Sequence, residues 1–492
     1  MVAALPFVFA RDQQVAIDES RILFGPDVTL KGLCEARRRL ALTGPDEGNG
    51  SCAPEWTELS SGEFEAALSR IYSRDSGGED ETDDVSFDLE EHAGRGGPRD
   101  LLEDTIEAPV IRLVNQLLRR AVNSNASDLH IEPHEEGLRA RLRVDGMLKT
   151  TLDRADVPVR RVVSRLKVMA GLDIAETRLP QDGHIALRLG GRSIDVRVST
   201  LPGNYGERVV LRVLDRSSGL MPLEALGLAQ SQIATLERLS ARPNGVLLAT
   251  GPTGSGKTTT LYSLLHLANS EERNIVTVED PIEYDLPGVS QSQINNDIGM
   301  TFASGLRATL RQDPDVILVG EIRDNETAAV AAQAALTGHL VFSSLHANGS
   351  VATIVRLRDL QVDDFLIAAT LRGVVAQRLL RRLCPECRRP RASGAADADL
   401  FQRAGVVTPE RLCEPVGCEQ CAQTGYRGRI GVFEIVEIDE AISAAIGEGA
   451  GEQRLRELSL APENTLLGQG LARVRDGETS LAEAVRVVGD TL

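Results

Sequence analysis

Gly251-Pro252-Thr253-Gly254-Ser255-Gly256-Lys257-Thr258-Thr259 fills every fixed position of the pattern GxxxxGK[ST]. The residues before it, Gly245-Val246-Leu247-Leu248-Ala249-Thr250, read as a short buried strand, and Thr258 to Leu267 reads as a helix. A glycine-rich turn between a strand and a helix lets backbone N–H groups approach phosphate oxygens, and the helix N-terminus adds partial positive charge. Lys257 is then expected to reach the β and γ phosphates of a bound nucleotide, and Thr258 to offer its hydroxyl to Mg²⁺.

Working outward, apolar strands recur at Ile275-Val276-Thr277-Val278, Val316-Ile317-Leu318-Val319 and Leu340-Val341-Phe342-Ser343, with helical stretches between them. Buried strands alternating with helices predict a mostly parallel sheet covered on both faces, an α/β nucleotide-binding domain with its chemistry at the carboxyl ends of the strands. Three polar motifs stand at those ends. Glu279-Asp280-Pro281-Ile282-Glu283-Tyr284 brings carboxylates that can orient or deprotonate water and hold Mg²⁺. Gly320-Glu321-Ile322-Arg323-Asp324 puts Glu321 where phosphate-loop enzymes carry a second acidic motif, and Leu345-His346-Ala347-Asn348 puts His346 at a third strand end. Arg307 and Arg311, four apart on a predicted helix, share a face and are candidates to stabilise charge on a neighbouring subunit's nucleotide, worth about 10³–10⁵ in rate where it occurs.

Upstream, Ala108 to Asn123 has helical periodicity, and strands follow in which arginine alternates with apolar residues: Leu138 to Val144, Ile194 to Ser199 and Arg208 to Val213. Such a face calls for an anion, and the nucleotide of the next domain is the nearest candidate. Residues 1–73 contain short amphipathic stretches at Leu30 to Leu42 and Ser61 to Tyr72 and no chemical motif. Residues 74–107 are acidic and poor in apolar side chains, the composition of a flexible linker.

Cys384-Pro385-Glu386-Cys387 and Cys418-Glu419-Gln420-Cys421 are two CxxC pairs separated by 30 residues. Four thiolates at this spacing suit a closed tetrahedral Zn²⁺ site, with the intervening residues forming a subdomain between the knuckles. The net charge of −18 over 492 residues speaks against a general nucleic-acid binder. No apolar run reaches the about 18 residues of a membrane span, and Met1 to Ala10 lacks the basic start of a secretory signal, so a cytoplasmic location is expected.

These residues together resemble the secretion ATPases that power type II secretion and type IV pilus assembly. The resemblance covers the phosphate loop, an Asp box at Glu279 to Tyr284, the segment Leu310 to Asp324 and a His box at Thr337 to Asn348. Upstream it includes Ala126 to Pro133 and Arg178 to Gly183. It implies a homohexameric ring whose subunits carry a PAS-like α+β domain and a RecA-like P-loop ATPase domain with ATP and Mg²⁺ between them. The implied roles are water activation for Glu283, with Glu279 and Asp280 supporting Mg²⁺ and phosphate geometry. Glu321 takes the place of an atypical Walker B glutamate, Arg197 and Arg212 reach the γ-phosphate, and Arg307 and Arg311 are the arginines of the ATPase domain. Two positions depart from the family pattern, His184 in place of Arg and Ala347 in place of Thr.

The tetracysteine insert and the start Leu5 to Arg11 resemble the type II secretion branch, of the GspE kind. The expected organisation is a partner-docking module over 1–73, a linker over 74–107, a PAS-like domain over 108–225, the ATPase core over 226–383, a zinc subdomain over 384–421 and a helical C-terminal part over 422–492. The implied partner is the cytoplasmic domain of an inner-membrane secretion-platform protein, which would hold the ring at the inner membrane indirectly, with no nucleic acid involved. A pilus-assembly or DNA-uptake motor, a nucleic-acid translocase and a non-hydrolysing nucleotide-gated scaffold are the competing readings.

Overall fold

The computed structural model describes residues 104–489 other than 190–191 and 216–219, and nearer the start residues 5, 10, 13–18, 21–26, 28–42, 55–60 and 64. The chain divides into two compact units, 1–86 and 87–492. In the first, β1 (Val15–Asp18) pairs antiparallel with β2 (Arg21–Phe24), which pairs parallel with β3 (Glu55–Glu58). The amphipathic stretch Leu30–Leu42 forms a helix over the same residues. Val15, Ile17, Ile22, Ala36 and Phe64 are buried together. The amphipathic stretch Ser61 to Tyr72, apart from Phe64, and nearly all of the predicted linker lie outside the described residues.

Among the described residues, the second unit opens with the helix Asp104–Asn123, which starts inside the predicted linker rather than at Ala108 and contains Pro109. Acidic residues are favoured in the first turn of a helix, so acidic composition there hides helix. Six antiparallel strands follow: β4 (Asp128–His134), β5 (Gly137–Val144), β6 (Met147–Arg154), β7 (Gln181–Leu189), β8 (Arg192–Leu201) and β9 (Arg208–Asp215), in the order β6-β5-β4-β9-β8-β7. Alternate residues such as Leu129, Ile131, Leu142, Val196 and Leu211 are buried with the helices Asp104–Asn123 and Val159–Met169. The residues between them face away from that core, as the period of two requires.

The next sheet is seven-stranded. It contains β10 (Gly245–Thr250), β11 (Ile275–Glu279), β12 (Ser290–Gln293), β13 (Val316–Val319), β14 (Leu340–Leu345), β15 (Leu371–Leu383) and, beyond the short strands β16 (Arg389–Ala392) and β17 (Arg411–Glu414), β18 (Tyr426–Glu437). The order is β12-β11-β13-β14-β10-β15-β18, parallel except for the β15–β18 pair. Its central strands are buried on both faces. Val246, Leu248, Ile317, Val319 and Val341 join one core, while Leu247, Ala249, Val316, Leu318 and Phe342 join the other. This double burial is why these strands read as unbroken apolar runs. A further core unites Leu380, Phe401, Leu412, Ile430, Leu471 and Val488, so the stretch between the cysteine pairs is packed onto the C-terminal helices Leu466–Arg475 and Leu481–Val488. No described helix is long and apolar enough to cross a membrane.

Candidate functional site

The phosphate loop leaves β10 at Thr250 and enters the helix Lys257–Ala268 through Gly256, whose φ of 91° favours glycine. Gly251, at φ 146°, lies so close to β15 that a Cβ would come within 2.6 Å of the Gln377 carbonyl and 3.1 Å of Arg378 Nη1. β15 also props the loop directly: Gln377 Nε2 donates to the Ser255 carbonyl at 2.8 Å. Lys257 is folded over the loop, donating to the carbonyls of Gly251 at 2.8 Å and Pro252 at 3.2 Å. Burial lowers its pKa, Glu321 opposes that shift, and the buried guanidinium of Arg378 adds to it. Pro252, Thr253, Gly254 and Thr258 are exposed, and Thr259 is half-buried. The loop therefore presents a cation, backbone donors and a hydroxyl at an accessible surface.

The carboxylates after β11 are of two kinds. Glu279 ends the strand buried, 3% exposed, and accepts hydrogen bonds from Tyr262 Oη, from Thr277 Oγ1 at 2.5 Å and from Gln291 Nε2 at 3.2 Å. Asp280 is exposed and Glu283 half-buried. Arg197 of β8 crosses from the antiparallel sheet to donate to the Ile282 carbonyl at 3.2 Å and stands 3.7 Å from the Glu283 carboxylate. Burial raises the pKa of Glu283, while Arg197 and Arg212 pull it down.

The strand register explains which arginines are available. His184, Arg197, Arg212, Asp128 and Arg143 lie in one row across β7, β8, β9, β4 and β5. Asp128 pairs with Arg212 at 3.2 Å and with Arg143 at 3.5 Å. Glu132 takes Arg141 at 2.6 Å and Arg208 at 2.7 Å, and Asp153 takes Arg139 at 2.8 Å. The expectation that the whole arginine face awaits an anion is thus corrected, because neighbouring strands bring their own carboxylates into register. Arg197 is the member directed at the ATPase sheet. His184, at the position where the family pattern has Arg, lies directly opposite it and is exposed.

Glu321 follows β13 with its side chain 15% exposed, held by Arg323 Nη2 at 2.5 Å and standing 3.6 Å from His346 Nε2. His346 follows β14, and its loop is gripped by Thr250, whose hydroxyl donates to the carbonyls of Leu345 and Ala347 and accepts from the Ala347 N–H. Lys257, Glu283, Glu321 and His346 therefore stand at the ends of β10, β11, β13 and β14 on the same edge of the sheet. Arg307 and Arg311 are arranged differently from expectation. The helix Phe302–Thr309 ends before Arg311, because Asp313, at φ 52°, and Pro314 turn the chain. Arg307 pairs with Glu326 at 2.7 Å, and Arg311 folds back onto the Arg307 carbonyl.

The four motif cysteines form the second site. All four Sγ atoms lie within 4.8 Å of one another, with Cys384–Cys418 and Cys387–Cys421 at 3.8 Å and Cys418–Cys421 at 3.7 Å. Backbone N–H groups of Cys418 and Gly425 donate to Cys421 Sγ at 3.2 Å, and that of Gly417 donates to Cys387 Sγ at 3.3 Å. Burial works against the Cys421 thiolate, yet these donors hold its pKa down to about 6. Clustered sulfurs wrapped in donors fit a metal ion. Lys149 of β6 donates to the Ala422 carbonyl at 2.8 Å, so the antiparallel sheet also touches this knuckle.

Sequence reasoning passed over Tyr262, Gln291, Gln377 and Arg378. The last two had a usable signal, a polar pair inside the apolar run Val374 to Leu380. A single tyrosine inside an apolar helix has none, since it reads as core.

A family profile described as Type II/IV secretion system protein matches residues 103–486. The type II secretion system protein E of Dickeya dadantii (strain 3937) is 48% identical across 98% of this chain and 96% of its own length. The type II secretion system ATPase E of Vibrio cholerae serotype O1 is 44% identical across 100% and 97%. Among solved structures, the pilus retraction motor PilT with bound ADP is 26% identical with a TM-score of 0.51, covering 75% of this chain and 95% of that one. The Legionella pneumophila ATPase DotB, 22% identical with a TM-score of 0.54 over 76% and 94%, shares the fold. With its strand-end acids gathered at a phosphate loop and its relatives matching it nearly end to end, the chain belongs to the Type II/IV secretion system protein family, as an ATPase of its type II secretion branch.

Proposed function

We propose that this chain is the motor of a type II secretion machine, a cytoplasmic homohexamer that turns ATP hydrolysis into pseudopilus assembly and protein export. The observation that carries the mechanism is Arg197, which reaches from one sheet to the loop bearing Glu283 in the other. A catalytic carboxylate gripped by a second domain ties its chemistry to the placement of that domain, as a motor needs.

In this reading the antiparallel sheet is a PAS-like domain and the parallel sheet a RecA-like domain. ATP lies between them with its phosphates on residues 251–259. Lys257 leaves the loop carbonyls for the β and γ phosphates, and Thr258 and Asp280 would hold Mg²⁺ with Glu321 beside them, while the buried Glu279 supports the site from behind through the side chains that donate to it. Mg²⁺, when bound, neutralises charge on the phosphates. Glu283 takes a proton from water as the water oxygen bonds to the γ-phosphorus. The bond to the β–γ bridging oxygen breaks, and the electron pair leaves with ADP. Arg197 stabilises the γ-phosphoryl charge, and Arg212, whose pairing with Asp128 is exposed on the arginine side, exchanges that partner to join it. His346 orients the site through Glu321, and Arg307 and Arg311 act on a neighbouring subunit's nucleotide. Their present contacts, with Glu326 and with the Arg307 carbonyl, are exposed and readily exchanged.

The metal at the cysteines is Zn²⁺. Tetrahedral Zn–S bonds of about 2.3 Å put sulfurs roughly 3.8 Å apart, and the Cys384–Cys418, Cys387–Cys421 and Cys418–Cys421 separations support this ion. The site is structural, since all four positions are filled by the chain. The 1–73 module docks the cytoplasmic domain of an inner-membrane platform protein.

The test is ATP turnover of the full chain alone and with that cytoplasmic domain plus acidic phospholipid. Turnover that rises on adding the partner supports a recruited motor. Nucleotide binding without turnover in either setting contradicts it.

A further inference from the structure

The loop from Asp280 to Leu286 carries Glu283 yet belongs to no helix or strand, so side chains have to hold it in shape. Tyr262 and Gln291 do so. Tyr262 comes from inside the helix that begins at Lys257, where it is fully buried. Its hydroxyl donates to the Glu279 carboxylate and accepts the backbone N–H of Glu283 at 3.3 Å. Gln291 of β12 accepts the Leu286 N–H at 2.7 Å and donates to the Tyr284 carbonyl at 3.2 Å, while its amide also reaches Glu279 at 3.2 Å. The Tyr284 ring meets that of Tyr262 edge-on with centroids 4.6 Å apart. Burial and the neighbouring Glu279 charge push the Tyr262 phenol far above its ordinary pKa, so it stays a protonated donor.

This arrangement has a direction. Glu279, sequestered and saturated with donors, fixes the phenol oxygen, and the remaining lone pair of that oxygen faces a backbone N–H of the residue whose carboxylate meets Arg197. One helix thus carries Lys257 at its start and, about a turn and a half later, the group that sets the Glu283 backbone.

We infer that Tyr262 is a positioning residue for hydrolysis, its hydroxyl anchored on Glu279 and holding the Glu283 backbone so that the carboxylate meets attacking water. The inference rests on the proposed role of Glu283. It makes the buried Glu279 the footing of the acid loop, and it routes movement of the phosphate-loop helix into the placement of Glu283. Small misplacements of a catalytic group cost about tenfold to a hundredfold in rate.

The test uses the full chain as wild type, Tyr262→Phe, Glu283→Gln and the double variant, with turnover, KM for ATP and thermal unfolding measured for each. Tyr262→Phe keeps the ring and loses the hydroxyl. The expected result is a kcat lowered about tenfold to a hundredfold, with KM and melting temperature little changed. Adding Tyr262→Phe to Glu283→Gln then costs nothing more, because the hydroxyl acts through that carboxylate. The inference is overturned by an equal loss in the Glu283→Gln background, which marks a structural role, or by wild-type kcat in Tyr262→Phe while Glu283→Gln collapses. Wild-type turnover in Glu283→Gln removes the reading of Glu283 itself, and the inference falls with it. Should Tyr262→Phe fail to fold, Gln291→Met loosens the same loop and must show the same kcat loss and the same absence of effect beside Glu283→Gln; an equal loss in both backgrounds overturns the inference.

Discussion

The phosphate-loop site and the tetracysteine cluster are built in opposite ways. The first collects Lys257, Glu283, Glu321 and His346 from four strand ends and Arg197 from another sheet, and its members stand apart, Arg197–Glu283 at 3.7 Å and His346–Glu321 at 3.6 Å. The second draws four sulfurs from two short knuckles into near contact, with backbone donors saturating Cys421. Loose, charged groupings stabilise a transition state more than a fold, whereas a closed thiolate set stabilises the fold itself. Losing a member of the first should therefore change rate and spare stability. Losing a member of the second should do the reverse.

The strongest attempt to break this contrast is Lys257→Ala. Turnover should fall at least about 10²–10³-fold with the melting temperature nearly unchanged, measured by phosphate release and calorimetry. A matching loss of stability would erase the distinction. From the other side, Cys418→Ser or metal removal by a chelator should cost roughly several kcal/mol of stability, seen in calorimetry and as new proteolysis between residues 388 and 417. Turnover measured well below the lowered melting temperature should survive.

Smaller effects sharpen the boundary. Arg197→Ala should lower kcat about tenfold to a hundredfold. It should also move the acid limb of the rate profile to higher pH: burial already raises the Glu283 pKa, Arg197 opposes that, and a base is active only above its pKa. The mildest is Glu483→Gln, in the helix Leu481–Val488 that packs beside the strand linking the sites. β15 carries Gln377 and Arg378 under the phosphate loop and reaches Cys384 through Arg381, whose guanidinium pairs with Glu483 at 2.7 Å. Burial opposes the Glu483 charge, but Arg486 and Arg381 outweigh it and bring the pKa down to about 2. A depressed carboxylate stabilises fully above its unfolded value near 4.5, and the contribution is lost as pH falls toward 2. The variant should cost about 1–3 kcal/mol at neutral pH, discounted for the half-exposed Arg486, and the difference should shrink in acid denaturation series.

Both sites were legible in the sequence to the degree that they are local. The phosphate loop and CxxC spacings are contiguous, and β10, β13 and β14 stand out because burial on both faces leaves no polar residue in most of their length. The order of strands was not legible, since it depends on which pairs cross over. Register hid the fate of the arginines: nothing in the spacing of Asp128 and Glu132 says that they neutralise Arg212, Arg143, Arg141 and Arg208 from adjacent strands. Arg311 fell outside its helix because of a proline three residues on. The strand-end motif alone presents Glu279 as one of three carboxylates, and the family resemblance is what sets Glu283 apart in the sequence; the physical distinction is the burial of Glu279 against Tyr262, Thr277 and Gln291.

The most direct test of the account is the pH dependence of ATP turnover in wild type and Glu283→Gln, with nucleotide affinity measured on the same samples. The wild-type rate should fall on the acid side with a midpoint above the usual carboxylate range, and the variant should be at least about a hundredfold slower with no such limb and unchanged affinity. A variant that keeps both the wild-type rate and its acid limb would place the base elsewhere and contradict the account.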